Sequence, residues 1–154
     1  MKRKITKSKL IAGWREWAQL PEFGIDAIKV KIDTGAKTSS LHAFELSTLT
    51  YEQKECVRFD LHPIQDNDLI TYTCICPIID YRWITSSTGH AQQRFIISTT
   101  LTIGEYSSVI EISLANRDEM GFRMLIGRTA LKEGILINPK HSFLMSPKTM
   151  LTKK

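Results

Sequence analysis

Residues 28–36 of the chain read IKVKIDTGA, and the architecture follows most directly from this segment. Apolar side chains alternate with lysines before Asp33, which predicts a half-buried β-strand that delivers a carboxylate at its end. A carboxylate used as a base must be held close to backbone that can approach another chain. Gly35 removes the side chain that would block this approach, and Thr34 can donate its hydroxyl to a neighbouring backbone group and lock the turn. Asp-Thr-Gly also occurs in ordinary turns, so the motif alone leaves both interpretations open.

Alternation with a period of two continues through much of the chain. It predicts further strands at residues 57–61, 70–76, 94–103, 109–114 and 124–126, with a hairpin turn at residues 104–107. Helical character is confined to residues 129–133, with Thr129 as a cap and Gly134 as the stop. Many short strands separated by turn signals predict an all-β barrel or sandwich.

The length and composition fit one globular domain. The chain has 154 residues, of which 42% are apolar and 24% charged, and these values exclude a disordered chain. No apolar run approaches the roughly 20 residues of a membrane-spanning helix. We expect a basic N-terminal arm at residues 1–10, one domain at residues 11–147 and a basic C-terminal tail at residues 148–154.

The net charge of +5 is concentrated in these two ends. This charge allows an anionic partner, although two solvated arms are the simpler interpretation. Nucleic acid is a disfavoured partner, because no basic strand face carries interleaved aromatic residues. The basic start lacks the continuous apolar stretch of an export signal, and the cysteine count of 3 is odd. These features predict a protein of the reducing cytoplasm with no membrane partner.

A second motif lies far downstream, where residues 124–128 read MLIGR. The pair of motifs resembles the retroviral-type aspartic proteases, in whose fold the apolar-Gly strand threads behind the Asp-Thr-Gly loop. The wider chain is similar to a bacterial retropepsin-like group labelled ATP-dependent zinc proteases and associated with RimK-like ATP-grasp ligases. The similarity covers residues 11–144 and rests on residues 13–16, 20–21, 31–43, 122–131, 138–139 and 142–144.

The resemblance implies an all-β, closed retropepsin-like barrel with one short C-terminal helix. It implies that Asp33 is the catalytic carboxylate and that Thr34 and Gly35 shape its loop. Four further residues would support this loop: Ala36, His42, Gly127 and Arg128. An aspartic protease needs two carboxylates that share one proton, and this chain has one such motif. The active species would therefore be a homodimer to which each chain contributes one Asp33.

Retropepsins close a β-hairpin flap over the substrate, and residues 82–94 are the best candidate for it here. Strand-like flanks enclose a tip of mostly small, polar residues, which are Ser86, Ser87, Thr88, Gly89 and His90. Small residues at a tip permit motion. The alternative is an ordinary surface hairpin.

The sequence departs from the retroviral enzymes after the Asp-Thr-Gly-Ala loop, where Lys37 replaces an acidic residue that would pair with Arg128. Arg128 then needs another partner, for which Asp118 or the second chain are candidates. Five cations would make the cleft basic: Lys37, Arg94, Arg117, Arg123 and Arg128. A basic cleft suits an acidic peptide, such as a glutamate-rich tail added by an ATP-grasp ligase. Solvated or structural charges are the alternative.

The family label includes zinc and ATP, but the sequence predicts neither a metal nor a cofactor. It lacks both His-Glu-x-x-His and a phosphate-binding Gly-x-x-x-x-Gly-Lys-Ser/Thr motif. Cys74 and Cys76 share one strand face, with Cys56 and His62 within reach, but buried core cysteines are the favoured interpretation. His42 follows the Asp33 loop closely, and a structural role, a role in orienting the loop and a metal role all stay open.

The favoured function is therefore an aspartic peptidase that acts on peptides as a homodimer. The alternative belongs to another class, a non-catalytic module that uses the same fold to grip acidic peptides or a ligase partner.

Overall fold

The computed structural model describes residues 10–62, 69–86, 88–116, 121–131 and 134–146. These residues form twelve strands: β1 (Leu10–Gly13), β2 (Arg15–Leu20), β3 (Ile25–Ile32), β4 (Ser39–His42), β5 (Phe44–Tyr51), β6 (Lys54–Leu61), β7 (Tyr72–Pro77), β8 (Asp80–Thr85), β9 (Ala91–Ile103), β10 (Tyr106–Ala115), β11 (Met124–Ile126) and β12 (Ile135–Asn138). Two single 3-10 turns cover Pro21–Phe23 and Arg128–Ala130. Among the described residues, no helix has the length and apolar character needed to cross a membrane.

Six strands close into a barrel. They follow one another in the order β10, β4, β11, β3, β2 and β9, and antiparallel pairing of β9 with β10 closes the ring. The first half of the long strand β9 pairs with β8 instead, so the β8–β9 hairpin projects from the barrel. Strands β5, β6 and β7 form a separate antiparallel sheet, and β1 pairs in parallel with β12.

The barrel interior is filled by the apolar side chains that alternate along these strands. On β3, Ile28, Val30 and Ile32 are buried, and they join one core cluster with Phe59 of β6 and Ile126 of β11. Each fully buried side chain of this size contributes about 1.5–3 kcal/mol relative to an exposed one. The predicted all-β barrel is confirmed.

The strands predicted around residues 28–32, 57–61, 94–103, 109–114 and 124–126 are present. Two expectations were wrong. Strand β7 begins at Tyr72, and Tyr72 and Ile70 are exposed although Cys74 and Cys76 are buried. In the described residues the predicted short helix is a 3-10 turn over Arg128–Ala130 with Gly127 at its N-cap position, and Thr129 is not the cap but donates its hydroxyl to the carbonyl of Lys37 at 2.7 Å.

Several expectations fall on residues outside the described ranges. They are residues 1–9 of the basic arm, the whole basic tail, residues 132–133 of the helix, and the three individual residues Ser87, Arg117 and Asp118.

A buried carboxylate fixes the C-terminal segment to the barrel. Glu16 on β2 is fully buried and accepts hydrogen bonds from the backbone N–H groups of Gly13, Leu144, Met145 and Ser146. It also accepts the hydroxyl of Ser146. Strand β2, which pairs with the strand β3 that leads to Asp33, is thereby tied to the end of the described chain.

Candidate active site

The Asp33 loop is built around the short strand β11. Strand β11 lies between β3 and β4, parallel to β3 and antiparallel to β4. Because residues 33–38 connect β3 to β4, this loop must pass over the end of β11. The predicted threading of the apolar-Gly strand behind the Asp-Thr-Gly loop is thus the observed topology.

Backbone hydrogen bonds hold Asp33 in a fixed place. Its N–H donates to the carbonyl of Ile126 at 2.8 Å, and its own carbonyl accepts the N–H of Ala36 at 3.1 Å. Its carboxylate Oδ1 accepts the N–H of Gly35 at 3.1 Å. A Cβ at Gly35 would stand 3.2 Å from that same oxygen, so glycine leaves the carboxylate room. The Thr34 side chain is exposed, and these bonds at Asp33 close the turn in place of the expected Thr34 hydroxyl bond.

Arg128 supports the other side of the loop. Its backbone N–H donates to the carbonyl of Ala36 at 2.8 Å, and its Nη1 donates to the carbonyl of Gly35 at 3.3 Å. The partner that Arg128 finds in the structure is therefore the loop backbone itself. The N–H and the hydroxyl of Thr129 both donate to the carbonyl of Lys37, which extends the same contact.

Gly127 allows the end of β11 to approach the Asp33 loop closely. A Cβ at this position would lie 2.7 Å from the carbonyl carbon of Thr38 and 2.9 Å from backbone atoms of Lys37 and Ser39. The Gly127 N–H instead donates to the buried hydroxyl of Ser39 at 3.0 Å. The two predicted motifs therefore meet in direct contact.

The β8–β9 hairpin and the Asp33 loop face one cavity of about 540 Å³. The hairpin contributes four β8 residues and the first residue of its tip to the lining: Arg82, Trp83, Ile84, Thr85 and Ser86. At the tip, the N–H of Ser86 donates to the carbonyl of His90 at 2.8 Å, and the N–H of Gly89 donates to the carbonyl of Ser86 at 2.9 Å. The Ser86 and Thr88 hydroxyls lie 2.9 Å apart. A cavity of this volume is suited to part of a peptide.

Two of the five predicted cations line this cavity, namely Lys37 and Arg94. Arg123 is 6% exposed and does not line it. Arg128 is exposed beside the loop.

Arg82 is a cavity cation that the sequence did not reveal. Its guanidinium donates to Asp80 at 2.6 Å and to Glu111 of β10 at 2.8 Å. The bond to Glu111, followed by that to Asp80, raises the pKa of Arg82 above its ordinary value. Hydrogen bonds from Arg82 and from the N–H of Tyr81 lower the pKa of Asp80. The spacing Asp80-x-Arg82 on one strand face is the signal that predicts such a pair.

His42 stands at the end of β4, outside the cavity lining. Its ring centroid lies 6.0 Å from that of Phe44, and the Phe44 ring lies 4.5 Å from His62. This packing fits the structural interpretation of His42.

The cysteines do not fit a zinc site. Cys56, Cys74 and Cys76 are free and buried. Burial, followed by the charge of Asp60, raises the pKa of Cys74 to about 11, and burial, followed by neighbouring thiols, raises that of Cys76 to about 12. In the described ranges, no three metal-ligating side chains come together.

Comparison with known proteins identifies a family and several relatives of the chain. A family model described as RimB-like, retropepsin-like aspartic endopeptidase RimB, matches residues 11–148. Proteins named probable alpha-L-glutamate ligase are 38% identical over 144 residues in Shewanella pealeana and 43% identical over 132 residues in Desulfotalea psychrophila. These matches cover 94% and 86% of this chain but only 31% and 28% of the relatives. The chain thus spans less than a third of their length.

The fold also occurs in a crystal structure of a Legionella pneumophila protein of unknown function. That structure superposes with a TM-score of 0.73 at 22% identity, over 89% of this chain and 98% of the other. The family model covers nearly the whole barrel, including both motifs that build the Asp33 loop. The chain therefore belongs to the RimB-like family of retropepsin-like aspartic endopeptidases.

Proposed function

We propose that this protein is an aspartic peptidase in which Asp33 supplies the reacting carboxylate. The observation that carries the proposal is the placement of this carboxylate, on a loop fixed by β11, at a cavity shared with a projecting hairpin. Asp33 forms no ion pair within the described ranges, so the carboxylate is available for proton transfer.

The reaction needs a second carboxylate, and we propose that a second copy of the chain provides it. Two facing Asp33 carboxylates would share one proton, because two like charges at short range cannot both ionise. The ionised member takes a proton from water, whose oxygen bonds to the peptide carbonyl carbon. The protonated member gives its proton to the leaving nitrogen as the C–N bond breaks.

The substrate that we propose is an acidic, glutamate-containing peptide. Lys37, Arg82 and Arg94 line the cavity against Asp33 and Glu111, so cations outnumber anions there. Relatives of this chain carry the name alpha-L-glutamate ligase, which makes a ligase a natural partner. The three free thiols support placing this reaction in the reducing cytoplasm.

The test is Asp33→Asn, which keeps size and hydrogen bonding but removes the base. We expect peptidase activity toward glutamate-rich peptides to fall by at least about 10²–10⁴-fold with folding intact. Asp26→Asn is the matched control, because Asp26 is exposed on the same strand and should leave activity unchanged. Cleavage by the Asp33 variant at the wild-type rate would refute the proposal.

A second candidate is a non-catalytic module that binds acidic peptides or a ligase. The observation that favours it is that the chain matches less than a third of proteins named as ligases. A purified wild-type protein that binds such peptides at micromolar concentration but hydrolyses none of them, at any protein concentration, would support the module.

A further inference from the structure

We propose that Glu111 is an internal competitor of the substrate. Its carboxylate holds the guanidinium of Arg82, and the carboxylate of an acidic peptide displaces it on binding, so that Arg82 selects acidic ligands. This inference rests on the proposed function for the role of the cavity, but it makes a separate claim about which ion pair recognises the ligand. It is tested below by binding, without catalysis.

The Arg82–Glu111 ion pair borders two cavities. One is the Asp33 cavity of about 540 Å³, and the other is a neighbouring cavity of about 250 Å³. Four residues line both of them: Lys37, Thr38, Arg82 and Glu111. A ligand that extends from the Asp33 cavity into its neighbour therefore passes beside the ion pair.

The two carboxylates that contact Arg82 are held differently. Asp80 belongs to the same strand; one of its oxygens accepts the Arg82 Nε at 2.6 Å and the other accepts the N–H of Tyr81 at 2.7 Å. Glu111 approaches from β10 and accepts the Arg82 Nη1 at 2.8 Å. Within the described ranges, the Glu111 carboxylate has no other partner. Asp80 thus fixes the guanidinium, whereas Glu111 is the exchangeable partner.

The exposure of the ion pair favours this exchange. The side chains of Arg82 and Glu111 are 35% and 48% exposed, so water screens their attraction and rehydrates Glu111 when it leaves. A peptide bound across Asp33 presents its own carboxylate at high effective concentration, and it receives the same charge-assisted hydrogen bond. A third carboxylate beside Arg82 would be repelled by the first two, so the incoming one must replace Glu111.

The exchange also affects the β8–β9 hairpin. Arg82 belongs to its outer strand and Glu111 to the barrel, so their bond joins the two. Displacement of Glu111 breaks this bond while the ligand gains a contact to the hairpin. Recognition of an acidic ligand is thereby coupled to release of the hairpin from β10.

The experiment measures calorimetric binding of glutamate-rich synthetic peptides to the full chain carrying Asp33→Asn. In each peptide of the series, one Glu is replaced by Gln. Glu111→Gln, added to Asp33→Asn, keeps the size of the competing side chain and removes its charge. We expect it to tighten binding of the unsubstituted peptide about 2- to 10-fold and to leave binding of one Gln-substituted peptide unchanged. The position of that Gln identifies the peptide side chain that binds Arg82.

Arg82→Gln tests whether the gain acts through the guanidinium. It should weaken binding of the unsubstituted peptide and remove most of the gain from Glu111→Gln, because two residues that act on one contact are not additive. Loss of a negative charge alone is controlled by Glu105→Gln, which should change no affinity. Glu105 is exposed in the turn between β9 and β10 and lines neither cavity.

Arg82→Lys keeps the inference testable if Arg82→Gln does not fold. It retains the charge without the planar fork, so only part of the gain from Glu111→Gln should remain. Three results would overturn the inference: Glu111→Gln does not tighten binding of the unsubstituted peptide, it tightens all peptides of the series equally, or its gain persists in full in the folded Arg82 variant.

The proposed function fails or stands separately from this result. If wild-type protein hydrolyses no peptide but the gain from Glu111→Gln depends on Arg82, the peptidase proposal fails and the competition stands. If hydrolysis occurs and Glu111→Gln leaves the affinity for acidic peptides unchanged, the competition fails and the peptidase stands.

Discussion

Gly127 shows how one missing side chain connects two distant motifs. Its backbone is extended, with φ of −83°, so any residue could adopt its conformation. The requirement for glycine comes from contact, because a Cβ would overlap the Thr38 carbonyl carbon at 2.7 Å. The approach of β11 to the Asp33 loop therefore depends on this position having no side chain.

Gly127→Ala should push the residue 37–39 backbone away from β11. Overpacking of this kind typically costs about 1–3 kcal/mol in unfolding free energy. We expect that loss in urea unfolding, and a larger relative loss of peptidase activity, because the displaced backbone continues directly from the Asp33 loop.

Gly24→Ala provides the matched control for this prediction. Gly24 has φ of 71° and no atom near its potential Cβ, so alanine there is strained by about 1–2 kcal/mol without touching the loop. Its activity per folded chain should equal that of wild type. Equal activity in the two variants would show that Gly127 serves stability alone.

At the scale of elements, one side chain of β8 ties the outer strand of the β8–β9 hairpin to barrel strand β10. Arg82 on β8 reaches Glu111 on β10 at 2.8 Å while Asp80 holds its Nε at 2.6 Å. Both ion pairs are largely exposed, so each contributes little to the stability of the whole protein. Their effect is local, since they set how readily the base of the hairpin opens.

Glu111→Gln should accelerate hydrogen exchange of the β8 amides by a few-fold while leaving the barrel strands unchanged. Glu105→Gln, in the exposed turn between β9 and β10, is the control and should change neither. Uniform acceleration across β3 and β10 as well would mean that the pair stabilises the whole domain, against this prediction.

Low pH should also accelerate hydrogen exchange of the β8 amides. The pKa of Asp80 is lowered below its ordinary 3.8, so its ionised form is favoured in the folded protein. The stabilisation from Asp80 is then fully present above about pH 3.8 and is lost as the pH falls through its lowered pKa. Intrinsic-rate-corrected protection of β8 should stay constant from pH 7 to pH 4 and fall only below that range.

The elements best predicted from sequence are those whose own residues determine them. Strand β3 alternates strictly, and β11 is a short apolar run before a glycine, so both were predicted and confirmed. Strand β4, with the sequence SSLH, was missed because its strand character comes from its neighbours β10 and β11. The local sequence pattern does not indicate which distant strands will pair with a segment.

In the site, too, some features could be predicted from local sequence and others depend on contacts between distant segments. The contact of the Asp33 loop with Gly127 followed from the resemblance of the two motifs to those of the retroviral-type proteases, whereas Arg82 could be recognised as a cavity cation only from the fold. Arg82 and Arg94 lie opposite each other in the β8–β9 register, and only that register brings both to Asp33. Glu16 is similar, because the N–H groups that hold its carboxylate belong to residues 144–146 at the other end of the chain.

At the scale of the whole molecule, the proposed mechanism requires two chains to form one active site. Each chain offers one Asp-Thr-Gly motif and the proposed reaction needs two carboxylates, so activity per chain should fall on dilution below the dissociation constant of the proposed dimer. Activity can also fall on dilution because dilute protein unfolds or adsorbs to surfaces. Mixing chains at a fixed total concentration separates the two causes.

We therefore expect a quadratic loss of activity when wild-type and Asp33→Asn chains are mixed and allowed to exchange. With equal amounts and random pairing, about one quarter of the dimers retain two Asp33 carboxylates, so activity should fall to about one quarter of the wild-type value at the same total concentration. Independent chains would retain half. Mixing with Asp26→Asn should leave activity unchanged, because that exposed aspartate lies outside the cavity lining. A linear dependence on the wild-type fraction, with exchange verified by co-purification of differently tagged chains, would place the complete reaction within a single chain.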